Sequence, residues 1–207
     1  MQNPKSHRAI FVKFKKAPNP AAAETGGFTL VELLVAMAVA SIMLTATVSL
    51  FATLDQSYTS NNVAANVQQV ARAGVDFMAQ SIRMAGLDPD QTGDFGITNA
   101  TATSITFAAD IDLDGSVAGT GETFSYFLNG DELQSNLSAV PLVENVDING
   151  LTFTYLAADN SPLATPVVDL AAIRTVQIEL TVREPAGRGE TVVRTYATEV
   201  RCRNLGL

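Results

Sequence analysis

The 207-residue chain has no tryptophan, one histidine (His7) and one cysteine (Cys202). A lone cysteine excludes an internal disulfide in any compartment. With a single histidine beside it, zinc sites built from several Cys and His ligands are excluded too. Lysine and histidine are absent after residue 27, so no Ser-His-Asp or Cys-His nucleophile can be built from the remainder. Gly115, Gly119 and Gly121 stand among acids, which repel phosphate, so they make no phosphate cradle. Carboxylate pairs are plentiful, but an acidic surface supplies them by chance. These absences argue against an enzyme.

Charge is unevenly spread. Residues 1–27 hold five basic residues (Lys5, Arg8, Lys13, Lys15, Lys16) and one acid (Glu24), a net of +4. The rest holds eight basic and 20 acidic residues, a net of −12, and no basic residue lies between Arg83 and Arg174. So acidic a surface repels phosphates and anionic headgroups, and direct nucleic-acid binding is not expected.

Glycine and proline are missing from Phe28 to Leu54, where FTLVELLVAMAVASIMLTATVSLFATL carries one charge, Glu32. As a helix at ~1.5 Å per residue this stretch reaches ~40 Å, enough to cross a ~30 Å hydrocarbon core. Basic residues flank it on the N-terminal side only, which places residues 1–27 in the cytoplasm and the acidic remainder outside it. A cleaved secretory signal has its small-residue site after the apolar run. Here Ala21–Ala23 and Gly26–Gly27 come before it. Glu32 is the one ionisable group in the run, and an unpaired carboxylate there costs about 2.5–3.5 kcal/mol on insertion scales. Its carboxylate either snorkels to the interface or pairs with a protonated backbone amine, its own or a neighbour's.

From Asp55 onward the sequence turns polar with spaced apolar positions. Val63, Val67, Val70, Gly74 and Phe77 mark one helical face, widened by Met78 and Ile82. Gly86 is expected to stop the helix, and Pro89 opposes its continuation. Residues 87–207 suffice for one compact head. Alternation marks strands through Ile105 and Phe107, through Phe124, Tyr126 and Leu128, through Leu151, Phe153 and Tyr155, and through Val176, Ile178, Leu180 and Val182. A last strand is expected from about Thr191 to Arg203, with Cys202 a buried thiol. Leu128-Asn129-Gly130-Asp131 reads as a tight hairpin, and Pro185–Gly189, 88–102 and 159–170 as loops. The expected fold class is α+β, a long N-terminal helix packed on an antiparallel sheet.

Asp110-Ile111-Asp112-Leu113-Asp114-Gly115 places oxygen ligands at alternate positions before a glycine, like the start of a calcium loop. Position twelve of such a loop is Gly121, and Glu122 comes one residue late. A calcium site on Asp110, Asp112 and Asp114 and a solvated acidic turn both remain open readings. No other cofactor is expected.

The run Gly27-Phe28-Thr29-Leu30-Val31-Glu32, behind a basic leader and ahead of an unbroken apolar helix, resembles the processing motif of type IV prepilins. Residues 66–89, the Arg83-Met84-Ala85-Gly86 exit and the closing Arg201-Cys202-Arg203-Asn204 are similar to PilW-type minor pilins and PulJ-type minor pseudopilins. This resemblance implies that prepilin peptidase cuts between Gly27 and Phe28 and methylates the new amine of Phe28. It implies that the helix stays in the inner membrane, N-terminus cytoplasmic and head periplasmic, until other pilin subunits take it into a fibre through that helix. The chain lacks the C-terminal cysteine pair of many major pilins and a proline in the membrane helix, which favours a minor subunit, and the resemblance to PilW-type subunits implies that it helps initiate type IV pilus assembly. The implied organisation is leader 1–27, membrane and fibre-core helix 28–54, amphipathic continuation 55–86 and head 87–207. A minor pseudopilin of a type II secretion system is the alternative within that architecture. A membrane-anchored receptor or adhesin that never polymerises is the alternative outside it.

Overall fold

The computed structural model describes residues 26–119 and 121–206; the basic stretch expected to be a leader lies, up to residue 25, outside them. One long helix, α1 (Leu30–Ile82, 53 residues), precedes seven strands. They are β1 (Ile97–Ala100), β2 (Ser104–Ala108), β3 (Thr123–Asn129), β4 (Glu132–Ser135), β5 (Val146–Leu156), β6 (Thr175–Gly187) and β7 (Glu190–Arg201). A 3-10 turn, Leu170–Ala172, lies between β5 and β6. The expected class, a long helix with antiparallel sheet, is what the chain forms. The sheet is divided in two: β1-β2-β3-β4, and β5-β6-β7, each antiparallel throughout.

The chain separates into two compact units, Met1–Val48 and Ser49–Leu207. In the first, every described residue is exposed, including Leu30, Val31, Leu33, Leu34 and Val35. Unbroken helix is the expected state of a run without glycine or proline. The hydroxyls of Ser41, Thr45 and Thr47 donate to backbone carbonyls one turn back, at 2.8 Å each. A hydroxyl satisfied within its own helix needs no water, as a hydrocarbon surrounding requires.

In the second unit α1 buries Val67, Ala71, Gly74, Val75, Met78 and Ile82. This seam is rotated from the sequence expectation. Phe77 is 46% exposed and Val63 and Val70 are only partly buried. The reason is close packing: a Cβ on Gly74 would lie 2.5 Å from Val143 Cγ2 and 3.4 Å from Leu180 Cδ2. Small residues draw the helix down where they stand, so Ala71 and Gly74 set the seam. The helix ends at Ile82, and Gly86 follows at φ +77°, its N–H donating to Ala108 O rather than to the helix.

Even-numbered Val176, Ile178, Leu180 and Val182 are buried, as are Leu151, Phe153 and Tyr155 opposite them. Buried Tyr126 donates its hydroxyl to Ser81 Oγ of the helix at 2.9 Å. Tyr155 reaches from β5 to the carbonyls of Thr101 and Ser104, tying the two sheets together.

Three loop expectations are corrected. Residues 97–100 form β1, paired with β2. Pro185–Gly187 belongs to β6, Ala186 is buried, and the β6–β7 turn is Arg188–Gly189. Pro185 pairs with Thr191 beyond the end of β5, where its missing N–H costs no ladder bond. The β3–β4 hairpin turns one residue later than the Asn-Gly signal suggests. Asn129 pairs with Glu132, so the turn is Gly130–Asp131 with Gly130 at φ +66°. Glycine at the first central position fits the alternative hairpin turn type.

Candidate functional site

Gly26, Gly27, Phe28 and Thr29 precede the first helical turn without regular structure, and Phe28 is 91% exposed. A Cβ on Gly27 would meet nothing within 4 Å, so the fold itself does not require glycine there.

Glu32 stands at the third helical position. Its Oε2 accepts the backbone N–H and the hydroxyl of Thr29, each at 2.9 Å, while Thr29 Oγ1 accepts the Glu32 N–H at 3.2 Å. Thr29 is the N-cap, so this is a reciprocal capping box that satisfies helix N–H groups otherwise left open. The sequence reading had Glu32 either snorkelling to the interface or pairing with a backbone amine, and did not see Thr29 as its partner. The Thr-x-x-Glu spacing was the available signal.

Past this box the surface is apolar. Leu30 (74%), Ile42 (70%) and Phe51 (67%) are largely exposed, and none of the most apolar 18-residue window, at mean hydropathy 2.2, is buried. Among the described residues α1 is long and apolar enough to cross a bilayer. A continuous apolar face of this kind requires lipid or protein around it.

The second cluster lies in the β2–β3 loop. Carboxylate oxygens of Asp110, Asp112, Asp114 and Glu122 all lie within 4.8 Å of one another. Asp110 and Glu122 are buried; Asp112 and Asp114 are exposed. Both oxygens of Asp110 accept backbone N–H groups, from Asp114 and Gly115, at 3.2 Å. Both oxygens of Glu122 do likewise, from Ile111 and Gly119, at 3.2 Å. Leu113 and Gly115 adopt positive φ, which curls the loop around these acids.

Thus the three aspartates read from sequence do converge, and Glu122 joins them. Counting twelve positions missed it. The hairpin register would have found it: Ala108 pairs with Thr123, so Glu122 falls opposite Ala109, whose N–H donates to its carbonyl at 2.9 Å. Oxygen-rich, anionic and partly dehydrated, the ring has the donor chemistry of a hard divalent cation site.

Cys202 is buried beside the end of β7, and its N–H donates to Arg174 O. Burial pushes its thiol up to about 11, with the Arg174 guanidinium pulling the other way. Such a thiol is an inert core group rather than a nucleophile.

Residues 25–48 match the family described as the prokaryotic N-terminal methylation motif. Comparison with curated proteins gave no match. Among solved structures the chain is similar to a type IV-like pilin from Thermus thermophilus. The TM-score is 0.44 at 10% identity, over 66% of this chain and 97% of that one. That likeness is too slight to bear on function.

Proposed function

We propose, from the methylation motif that this chain carries at its N-terminus, that it is a prepilin-type structural subunit of the minor class. In this reading prepilin peptidase removes residues 1–27 by cutting between Gly27 and Phe28, and the freed amine of Phe28 is methylated. The helix from 28 to 54 anchors the subunit in the inner membrane, its N-terminus cytoplasmic and its head periplasmic. On assembly that helix exchanges lipid for the helices of neighbouring subunits in a type IV pilus, helping to initiate the fibre. The chain acts by packing, and no reaction is assigned to it.

One observation carries this reading. The matched motif at residues 25–48 coincides with a wholly exposed apolar helix that holds a single acid, Glu32, in its first turn. A glycine that the fold does not need sits before the helix, as a narrow protease cleft requires. The test is Gly27→Val in a host with the peptidase. The substituted chain retains its leader and stays out of fibres; normal processing and incorporation would refute the reading. The same packing serves a type II secretion pseudopilus, and the fibre from which the chain is recovered decides between them.

The acidic loop enters the proposal as a calcium site on Asp110, Asp112 and Asp114, with Glu122 as the fourth carboxylate. The observation that favours it is the convergence of these four groups within 4.8 Å.

A further inference from the structure

Every sheet in the head has two edges, and three of the four are covered by the chain itself. Beside β1, Val167 donates its N–H to Ala100 O at 2.9 Å. Beside β4, Leu133 exchanges backbone bonds with Leu142 and Val143 at 2.8 Å. Beside β5, Phe153 donates to Ala102 O and Leu163 donates to Tyr155 O at 2.8 Å. Only β7 differs. It is paired with β6 along one side, and among the described residues no strand or loop backbone bonds its other side.

The direction of its backbone groups follows from the ladder. Cys202 N–H donates to Arg174 O, and Arg183 N–H donates to Asn145 O on the β5 side. These bonds make the even-numbered residues of β7 the ones that bond β6. Thr191, Val193, Thr195, Ala197, Glu199 and Arg201 therefore direct N–H and C=O outward. All six are exposed. Within the fold, Arg194 donates to the Val193 carbonyl at 2.9 Å. The other outward groups form an unpaired edge on a strand of 12 residues. Bare edges of this length are templates for another strand.

Charge selects the occupant. Residues 84–173 hold 13 acids and no basic residue, so two copies repel across most of the head. Strand β7 is balanced, with Glu190 and Glu199 against Arg194 and Arg201. It is where two acidic heads can meet without a like-charge penalty. An antiparallel strand beside its own twin is also self-complementary, each outward donor facing an acceptor of the other copy.

We infer that the outer edge of β7 is a self-association surface on which a second copy of this chain adds its own β7, antiparallel, joining two three-stranded sheets into one of six. The inference goes beyond the proposed function and stands without it.

The test uses the full chain in detergent. Sedimentation equilibrium of the wild-type chain shows a monomer–dimer equilibrium. Ala197→Pro removes an outward donor and no bond to β6, and weakens the dimer about tenfold or more while the head's melting temperature holds. If that variant fails to fold, cysteine cross-linking decides. Oxidation links Thr195→Cys chains to Ala197→Cys chains, whereas wild-type chains, whose Cys202 is buried, do not link. A monomer at every concentration with no such disulfide overturns the inference. So does a dimer indifferent to Ala197→Pro that yields no such disulfide, which points to association through the apolar helix. Cross-linking at Ala197 to a different protein alone also overturns it.

Discussion

Thr29 and Glu32 close a reciprocal box over the first turn of the helix, with the Glu32 carboxylate 2.9 Å from both the N–H and the hydroxyl of Thr29. The single acid of the apolar run thus has a partner in the residue that opens its own helix. Capping tolerates glutamine at this position, because the amide oxygen also accepts. Pairing with an ammonium needs the charge. The two roles therefore separate by substitution. Glu32→Gln is expected to lower incorporation into fibres about tenfold or more, while Thr29→Val, which breaks the box and keeps the charge, changes it less than about twofold. Quantifying the subunit in purified fibres checks both.

The contact between Gly74 and Val143 makes a second prediction. Alanine at 74 gains ~1 kcal/mol of helix propensity, but its methyl would lie 2.5 Å from Val143 Cγ2. Overpacking of this kind costs about 1–3 kcal/mol, and valine is stiff at χ1. Gly74→Ala is expected to lower the melting temperature of the head. In a Val143→Ala background the same change is expected to raise it. Thermal melts of the four chains give the answer.

For the acidic loop, calcium at ten times the dissociation constant stabilises by about 1.4 kcal/mol, or roughly 3–6 °C for a chain of this size. The melting temperature in millimolar calcium is expected to exceed that in chelator by this order, and Asp112→Asn is expected to shrink the difference. An unchanged melting temperature contradicts calcium binding.

Burial of Cys202 gives a pH dependence. Burial holds it at about 11 in the folded chain, above the ordinary thiol value of 9.0. The stability held by the neutral thiol is therefore complete below about pH 9 and lost as pH rises through about 11. Cys202→Ala is expected to flatten the fall in stability between those values relative to wild type, read by denaturant titration at successive pH. A thiol reagent at pH 8 is expected to react with the unfolded chain and spare the folded one.

Much of this was legible in sequence because burial follows period. Val176, Ile178, Leu180 and Val182 alternate strictly and are all buried, since a strand one face deep in a core admits no other pattern. The helix seam was read less well. Apolar counting favoured Phe77 over Ala71, yet backbone proximity at Gly74 is decided by what is small. Strand β1 was hidden because Ile97-Thr98-Asn99-Ala100 is too short to show a period, and its pairing with β2 is long-range information. Glu122 was missed because a fixed loop count was used where hairpin register governs. In the first unit Glu32 stood out as the single charge of an apolar run, while its capping partner Thr29 was signalled only by the Thr-x-x-Glu spacing and went unread.

The most direct measurement is the intact mass and N-terminal residue of the chain recovered from its native host. A polypeptide beginning at N-methylated Phe28 is what this account predicts. A chain that still carries residues 1–27, in cells with an active prepilin peptidase, contradicts it.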